Sequence, residues 1–203
     1  AGPTYEKIDP VRYIGNYSSG KMGCALANEA VKRGASVDLI IGPSSQKTAH
    51  PNINRINIQT AQEMYDITRS KFKKTDIAIF SAAVTDFSPS KYLEKKIKKK
   101  ELKIHMKPNI DILKTLSQFK KKQFVVGFAL ETDNELRNAI KKITNKKLDL
   151  IVLNSMNDKG SGFEYDTNKV TIIDKSLGIK KYPLMSKNLV ADTIFNEIIL
   201  NVQ

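Results

Sequence analysis

The stretch DIAIFSAA at 76–83 decides the fold. It carries one charge at its start and no alternation of polar with apolar residues, so it reads as a strand buried on both faces. Strands of that kind belong to parallel sheets covered by helices on both sides. Working outward, QFVVGFA (123–129), DLIVLN (149–154) and VDLIIG (37–42) repeat the pattern, while INRINI (53–58) is weaker and LKIHM (102–106) alternates. Helical stretches separate them. An amphipathic one follows the glycine-rich residues 15–23. A second runs from Thr60, whose hydroxyl forms a capping box with Glu63, to about Lys73. Others cover 109–119, 135–147 and about 186–200, and VTIID (170–174) and IKKYPL (179–184) flank a Ser-Leu-Gly turn as a hairpin. This alternation predicts an α/β fold: a doubly wound, mainly parallel, Rossmann-like sheet with helices on both faces and a C-terminal β-hairpin. Ligands of such sheets bind beyond the carboxyl ends of the strands.

The chain has 203 residues and 40% apolar content, which fits one domain with a packed core. No apolar run approaches the ~18 residues of a membrane span, so no membrane role is expected. One cysteine, Cys24, forms no internal disulfide, and two histidines build no conventional zinc site. A reducing, cytoplasmic setting is the expectation. The abrupt start Ala-Gly-Pro-Thr, with no strand before the first glycine loop, leads us to expect a short strand upstream.

The net charge is +13, from 34 basic and 21 acidic residues. Such a field favours anionic partners. Lysine rather than arginine supplies the excess, and no aromatics interleave with it, which argues against nucleic acid. Residues 91–107 hold eight lysines and two glutamates. A polar connection of this kind at the ligand end of the sheet, at about 88–101, reads as a flap able to neutralise a polyphosphate, or as a solvated surface run.

Three other segments are candidates for chemistry. In IDPVRYIGNYSSGKMGCALANEAVKRG (8–34) small residues lead into a helix, where free amides favour an anion. Met22 stands where a phosphate-binding P-loop needs Ser or Thr, and the G-x-G-x-x-G fingerprint is absent. The alternative is a turn that packs helix on sheet. In SAAVTDFSP (81–89) two alanines let a flat ligand lie against the backbone, and Asp86 faces a ribose, a metal or solvent. After Pro108 and Asn109, the amides of Ile110, Asp111, Ile112 and Leu113 form another helix start. Cys24 lies among apolar residues and reads as core.

DPVRYIGNYSSGKMG, SAAVTDF, KIKK (96–99), GFALETDN (127–134), DLIVLN and SGFEYDTNKVTII occur in an order that resembles bacterial phosphopantothenoylcysteine synthetase. The resemblance spans nearly the whole chain. It implies a CTP-dependent ligase of coenzyme A biosynthesis that joins 4′-phosphopantothenate to cysteine through an acyl-cytidylate, with magnesium. In many bacteria this is the C-terminal half of a bifunctional protein, and FMN belongs only to an upstream decarboxylase domain of which none is present here. On the matching positions, Asn16 holds the acyl intermediate for the cysteine step and Lys96 is the lysine needed to form the acyl-cytidylate. CTP falls to Phe80, Ser81, Ala82, Asp86, Lys96, Ile110, Asp111, Ile112, Leu113, Phe128, Lys142 and Lys146. Ala82 and Ala83 join Asn16 around the intermediate, and Asp86 is the candidate magnesium carboxylate. Ile110 stands where the family has proline, and Leu130 where it has alanine. The resemblance also implies a homodimer, for which the hairpin and last helix are candidates. An NADP oxidoreductase would carry a glycine fingerprint and a Tyr-x-x-x-Lys pair; Tyr92 and Lys96 have that spacing, but in a loop.

Overall fold

The structure is a computed structural model, and it describes residues 1–98, 101–131, 133–155, 162 and 165–202. A hairpin opens the chain, β1 (Tyr5–Lys7) against β2 (Tyr13–Gly15). Then follow α1 (Lys21–Lys32), β3 (Val37–Ile41), β4 (Ile53–Asn57), α2 (Ala61–Phe72) and β5 (Ile77–Phe80). A two-stranded ribbon, β6 (Phe87–Pro89) with β7 (Met106–Pro108), precedes α3 (Ile112–Ser117), β8 (Phe124–Glu131) and α4 (Glu135–Asn145). The rest comprises β9 (Leu150–Ser155), β10 (Thr167–Asn168), β11 (Val170–Asp174), β12 (Ile179–Lys181), β13 (Met185–Ser186) and α5 (Lys187–Val202).

β5, β8 and β9 pair in parallel, and β11 closes the row antiparallel to β9 and to β12. β3 and β4 form a parallel pair of their own. Residues 1–4 lie between that pair and β5: the Gly42 amide donates to the Ala1 carbonyl at 3.0 Å, and the Ala83 amide to Gly2 at 2.9 Å. The central sheet is therefore mainly parallel, with the expected hairpin at one edge.

Two cores sandwich it. On one face, Ala25, Leu26 and Ala30 of α1 and Val190, Ile194 and Ile198 of α5 pack on Val126, Val152 and Ile172. On the other, Met64 and Phe72 of α2, Ile112 and Leu116 of α3, and Ala139 and Ile143 of α4 cover Val125, Ile151 and Ile173. The strands alternate their side chains between two apolar layers, which is why their sequences do not alternate. Each fully buried aliphatic such as Ile194 contributes roughly 1.5–3 kcal/mol. The Thr60–Glu63 capping box forms as expected.

Several expectations need correction. The strand predicted over 76–83 is shorter and half-exposed, because only β8 pairs along its length. A hairpin, rather than no strand, precedes the glycine loop. The strand expected at 102–106 forms instead at Met106–Pro108, in register with Phe87–Pro89. The helix expected from residue 109 begins at Ile112, because Asn109 is held by Thr85 and Asp86 and Asp111 serves as the cap. The second hairpin strand ends at Lys181.

Candidate functional site

The carboxyl end of β5 runs into a backbone corner at residues 83–86, and three separate segments converge on it. Asn16, three residues into the chain beyond Tyr13, donates from Nδ2 to the carbonyls of Ala83 at 3.0 Å and Val84 at 3.3 Å. Asn16 thus sits against the corner itself. Behind the corner lies a buried polar cluster. The Thr85 amide donates to Thr4 Oγ1 at 3.0 Å, and Thr85 Oγ1 donates to Glu6 Oε1 at 3.3 Å. Glu6 also accepts the Ala61 amide at 2.8 Å, so one buried carboxylate serves both the corner and the start of α2. Asn109 then donates from Nδ2 to the Thr85 carbonyl at 2.8 Å, while its amide donates to that of Asp86 at 2.8 Å. Buried polar groups so fully satisfied hold one geometry. Glu6, Thr85 and Asn109 carry no local signal of this role; only their position flanking strand ends marks them.

The glycine loop approaches the same edge. Gly20 caps α1 in the left-handed region, at φ 79, and the Ser18 and Ser19 hydroxyls accept the Gly20 and Lys21 amides at 3.4 and 3.5 Å. Ser44, in the Gly-Pro-Ser turn after β3, donates to the Ser19 carbonyl at 2.6 Å and fixes that loop. A Cβ on Gly42 would meet the Pro3 carbonyl oxygen at 1.6 Å, so the turn is built on a close approach that only glycine permits. Ser44 was legible only as a polar residue just past a buried strand.

The expected nucleotide residues divide across the sheet edge. Phe80 and Ala82 lie on the face of α2, α3 and α4, together with Ile110, Ile112 and Leu113. Phe128 packs on the opposite face, in the layer of α1 and α5. Ser81 lies on that side too, its Oγ 3.2 Å from where a Cβ on Gly23 would stand. Gly127 lets α3 lie close on the sheet: a Cβ there would stand 2.8 Å from Leu148 and 3.0 Å from Leu113.

Lysines border the α3–α4 side. Lys142 Nζ lies 2.5 Å from Glu131 and Lys146 Nζ 2.8 Å from Asp111. Burial pushes the Asp111 carboxyl up, but the Lys146 ammonium and the Lys114 amide outweigh it and hold the group below its ordinary value. Asp111 also accepts the Lys114 amide at 2.9 Å, so the start of α3 already has its own carboxylate. Lys96 lies elsewhere, exposed on the segment between β6 and β7, and Lys99 and Lys100 of the run lie outside the described residues. Asp86 is exposed at the corner. Among the described residues no group of three or more His, Cys, Asp or Glu could hold a metal. A lone carboxylate of this kind fits magnesium only where substrate phosphates supply the other ligands. Cys24 is buried, and burial pushes its thiol up, as suits a core residue.

The model of the DNA/pantothenate metabolism flavoprotein C-terminal domain family (DFP) matches residues 1–201. The chain belongs to this family. Its relatives include a protein named cysteine/cysteine sulfinic acid decarboxylase from an unidentified prokaryote, 49% identical over 98% of this chain and 56% of that protein. The coenzyme A biosynthesis bifunctional protein CoaBC of Bacillus subtilis is 44% identical over 98% of the chain and 49% of its own length. This DFP chain therefore spans about half the length of the curated relatives it matches. The crystal structure of the C-terminal domain of CoaBC superposes with a TM-score of 0.83 at 37% identity, covering 98% of this chain and 93% of that one. The DFP fold is thus shared over its full extent.

Proposed function

We propose that this chain is a single nucleotide-binding ligase domain that joins 4′-phosphopantothenate to cysteine with CTP. One observation carries the reading: Asn16 is fixed against Ala83 and Val84 at the carboxyl end of β5, in a fold shared with the C-terminal domain of CoaBC. In the first step a phosphopantothenate carboxylate oxygen attacks the α-phosphorus of CTP; an O–P bond forms and pyrophosphate departs. In the second the cysteine amine attacks the acyl carbon, CMP leaves, and the amine loses a proton.

Such chemistry needs charge neutralisation and exclusion of water rather than a covalent nucleophile. Lys96 and its neighbours close over the triphosphate from the flap, and Lys142 and Lys146 meet it from α4. Asn16, Ala82 and Ala83 hold the acyl group, while Phe80, Ser81, Asp86, Ile110, Asp111, Ile112, Leu113 and Phe128 line the nucleotide site. Magnesium on the CTP phosphates, with Asp86 as its protein carboxylate, supplies further neutralisation when bound. Exposed Leu177, Ile179, Leu184 and Leu189 on the hairpin and α5 support a homodimer. Among the described residues no helix is long and apolar enough to cross a membrane, and we place the reaction in the cytoplasm.

Pyrophosphate release with phosphopantothenate, magnesium and CTP tests this, with ATP in parallel; release specific to CTP is expected. A second reading, decarboxylation of cysteine or its sulfinate, rests on the 49% identity with the relative of that name. Carbon dioxide from either amino acid, with no pyrophosphate from any nucleotide, would replace the first reading by the second.

A further inference from the structure

The flap between β6 and β7 carries exposed lysines, yet its near limb is not free. The Leu93 amide donates to the Ile8 carbonyl at 3.0 Å, tying the limb to the turn between β1 and β2. Four residues on, a second tie is made by a carboxylate. Asp9 has a fully buried side chain, 0% exposed, beside the half-exposed Arg12. Its Oδ1 accepts the amides of Val11 and Arg12, both at 2.8 Å, and so closes the local turn. Its Oδ2 does something different. It accepts the Arg12 guanidinium and, from 88 positions along the chain, the Ile97 amide, each at 3.1 Å. Arg12 Nη2 completes the grip by donating to the Ile97 carbonyl at 3.2 Å. Both backbone groups of Ile97 are therefore held by one Asp–Arg pair.

Ile97 stands between Lys96 and Lys98. Resting on the ligase reading above, we propose that Asp9 is a positioning residue: through its Oδ2 it latches the flap at Ile97 and sets Lys96 in place to meet the nucleotide phosphates. A local turn needs only one carboxylate oxygen, and aspartate at the turn would then be replaceable by asparagine. The second oxygen, shared between the Arg12 guanidinium and the Ile97 amide, reaches beyond the turn and ties it to the flap. Burial pushes the Asp9 carboxyl up, but the amides of Val11, Ile97 and Arg12 and the guanidinium outweigh it, so the latch stays ionised at neutral pH. Ionised acceptors make the stronger hydrogen bonds, which suits a contact that restrains a solvent-exposed segment.

The division of labour between the two oxygens defines the test. Asp9→Asn keeps one acceptor for the turn and sets an amide donor where Ile97 and Arg12 also donate. Ile97→Pro breaks the same contact from the flap side and leaves Asp9 intact, which guards against a misfolded first variant. Trypsin cleavage within 91–107 reads the latch without any ligand. Both variants are expected to be cleaved about tenfold faster than wild type, as expected when a restraint on a local opening is lost. Calorimetry with CTP and magnesium reads the positioning. Each variant is expected to bind about tenfold more weakly, since small displacements of a charged group cost that order. In a Lys96→Gln background, where the lysine to be positioned is gone, the further loss should be under about twofold. Unchanged cleavage in both variants would overturn the latch. Faster cleavage with unchanged CTP affinity, or an equal loss with and without Lys96, would overturn the positioning role. A wild type that binds no CTP would overturn the ligase reading and the positioning role together, leaving the cleavage result to stand for the latch alone.

Discussion

Two sets of lysines proposed to meet the nucleotide are built in opposite ways. Lys142 and Lys146 are held on α4 by carboxylates, Glu131 and Asp111, that come from a strand and from a helix cap. Lys96 is exposed on a long connection whose backbone, rather than whose side chain, is restrained. The difference is instructive. A paired lysine has its position fixed in advance and its charge largely offset until an anion displaces the carboxylate. An exposed lysine on a flap keeps its full charge for the transition state but depends on the backbone to place it. The first arrangement suits binding alone, and the second suits both meeting the bound triphosphate and stabilising the further charge that develops during reaction.

If that contrast is right, the flap lysine should dominate the rate. Lys96→Gln is expected to lower pyrophosphate release by about 100-fold or more, the cost of removing one preorganised charge stabiliser, with the thermal midpoint unchanged. A loss confined to KM would place Lys96 with the α4 lysines instead. Next comes Asn16→Asp, which sets a carboxylate against the carbonyls of Ala83 and Val84. Amide formation should fall by about 100-fold, and by more than pyrophosphate release does, because it is the acyl group that loses its seat. Equal losses in both steps would deny Asn16 its separate role.

Smaller effects probe the fixed side. Gly127→Ala adds a Cβ 2.8 Å from Leu148 and 3.0 Å from Leu113, under the segment that carries Asp111. Calorimetric unfolding should show a loss of about 1–3 kcal/mol; no loss would mean that this packing does not fix the paired lysines. Lys146→Ala should weaken CTP binding about tenfold with little change in turnover. The smallest effect is in pH. The Asp111 carboxyl is depressed in the fold, so its contribution is complete above the ordinary aspartate value and is lost as pH falls through the lower folded value. Replacing it with Asn should flatten the acid limb of a melting profile slightly, since the group is 45% exposed.

The sheet was legible because its signal is local. Apolar runs such as 123–129 and the Thr60–Glu63 box declare themselves within a few residues. At the proposed site the Asn16 and Ala83 segments meet, though they lie 67 positions apart. What stayed hidden depends on distant partners. Nothing near Glu6 announces that it will bind both Thr85 and the start of α2, and nothing near Asp9 announces Ile97. The face taken by Phe128 follows from the register of β8 with β9, which no pattern within the strand sets. The late start of α3 has the same origin, because Asn109 is claimed from outside before the helix can take it.

The most direct test of the proposed two-step reaction is to follow its intermediate. The protein is incubated with phosphopantothenate, CTP and magnesium without cysteine, the mixture is read by mass spectrometry, and cysteine is then added. A phosphopantothenoyl-cytidylate and pyrophosphate are expected first, then conversion of the cytidylate to the cysteine amide with release of CMP. Cleavage of CTP to CDP and phosphate, or no cleavage with or without cysteine, would contradict the proposed reaction.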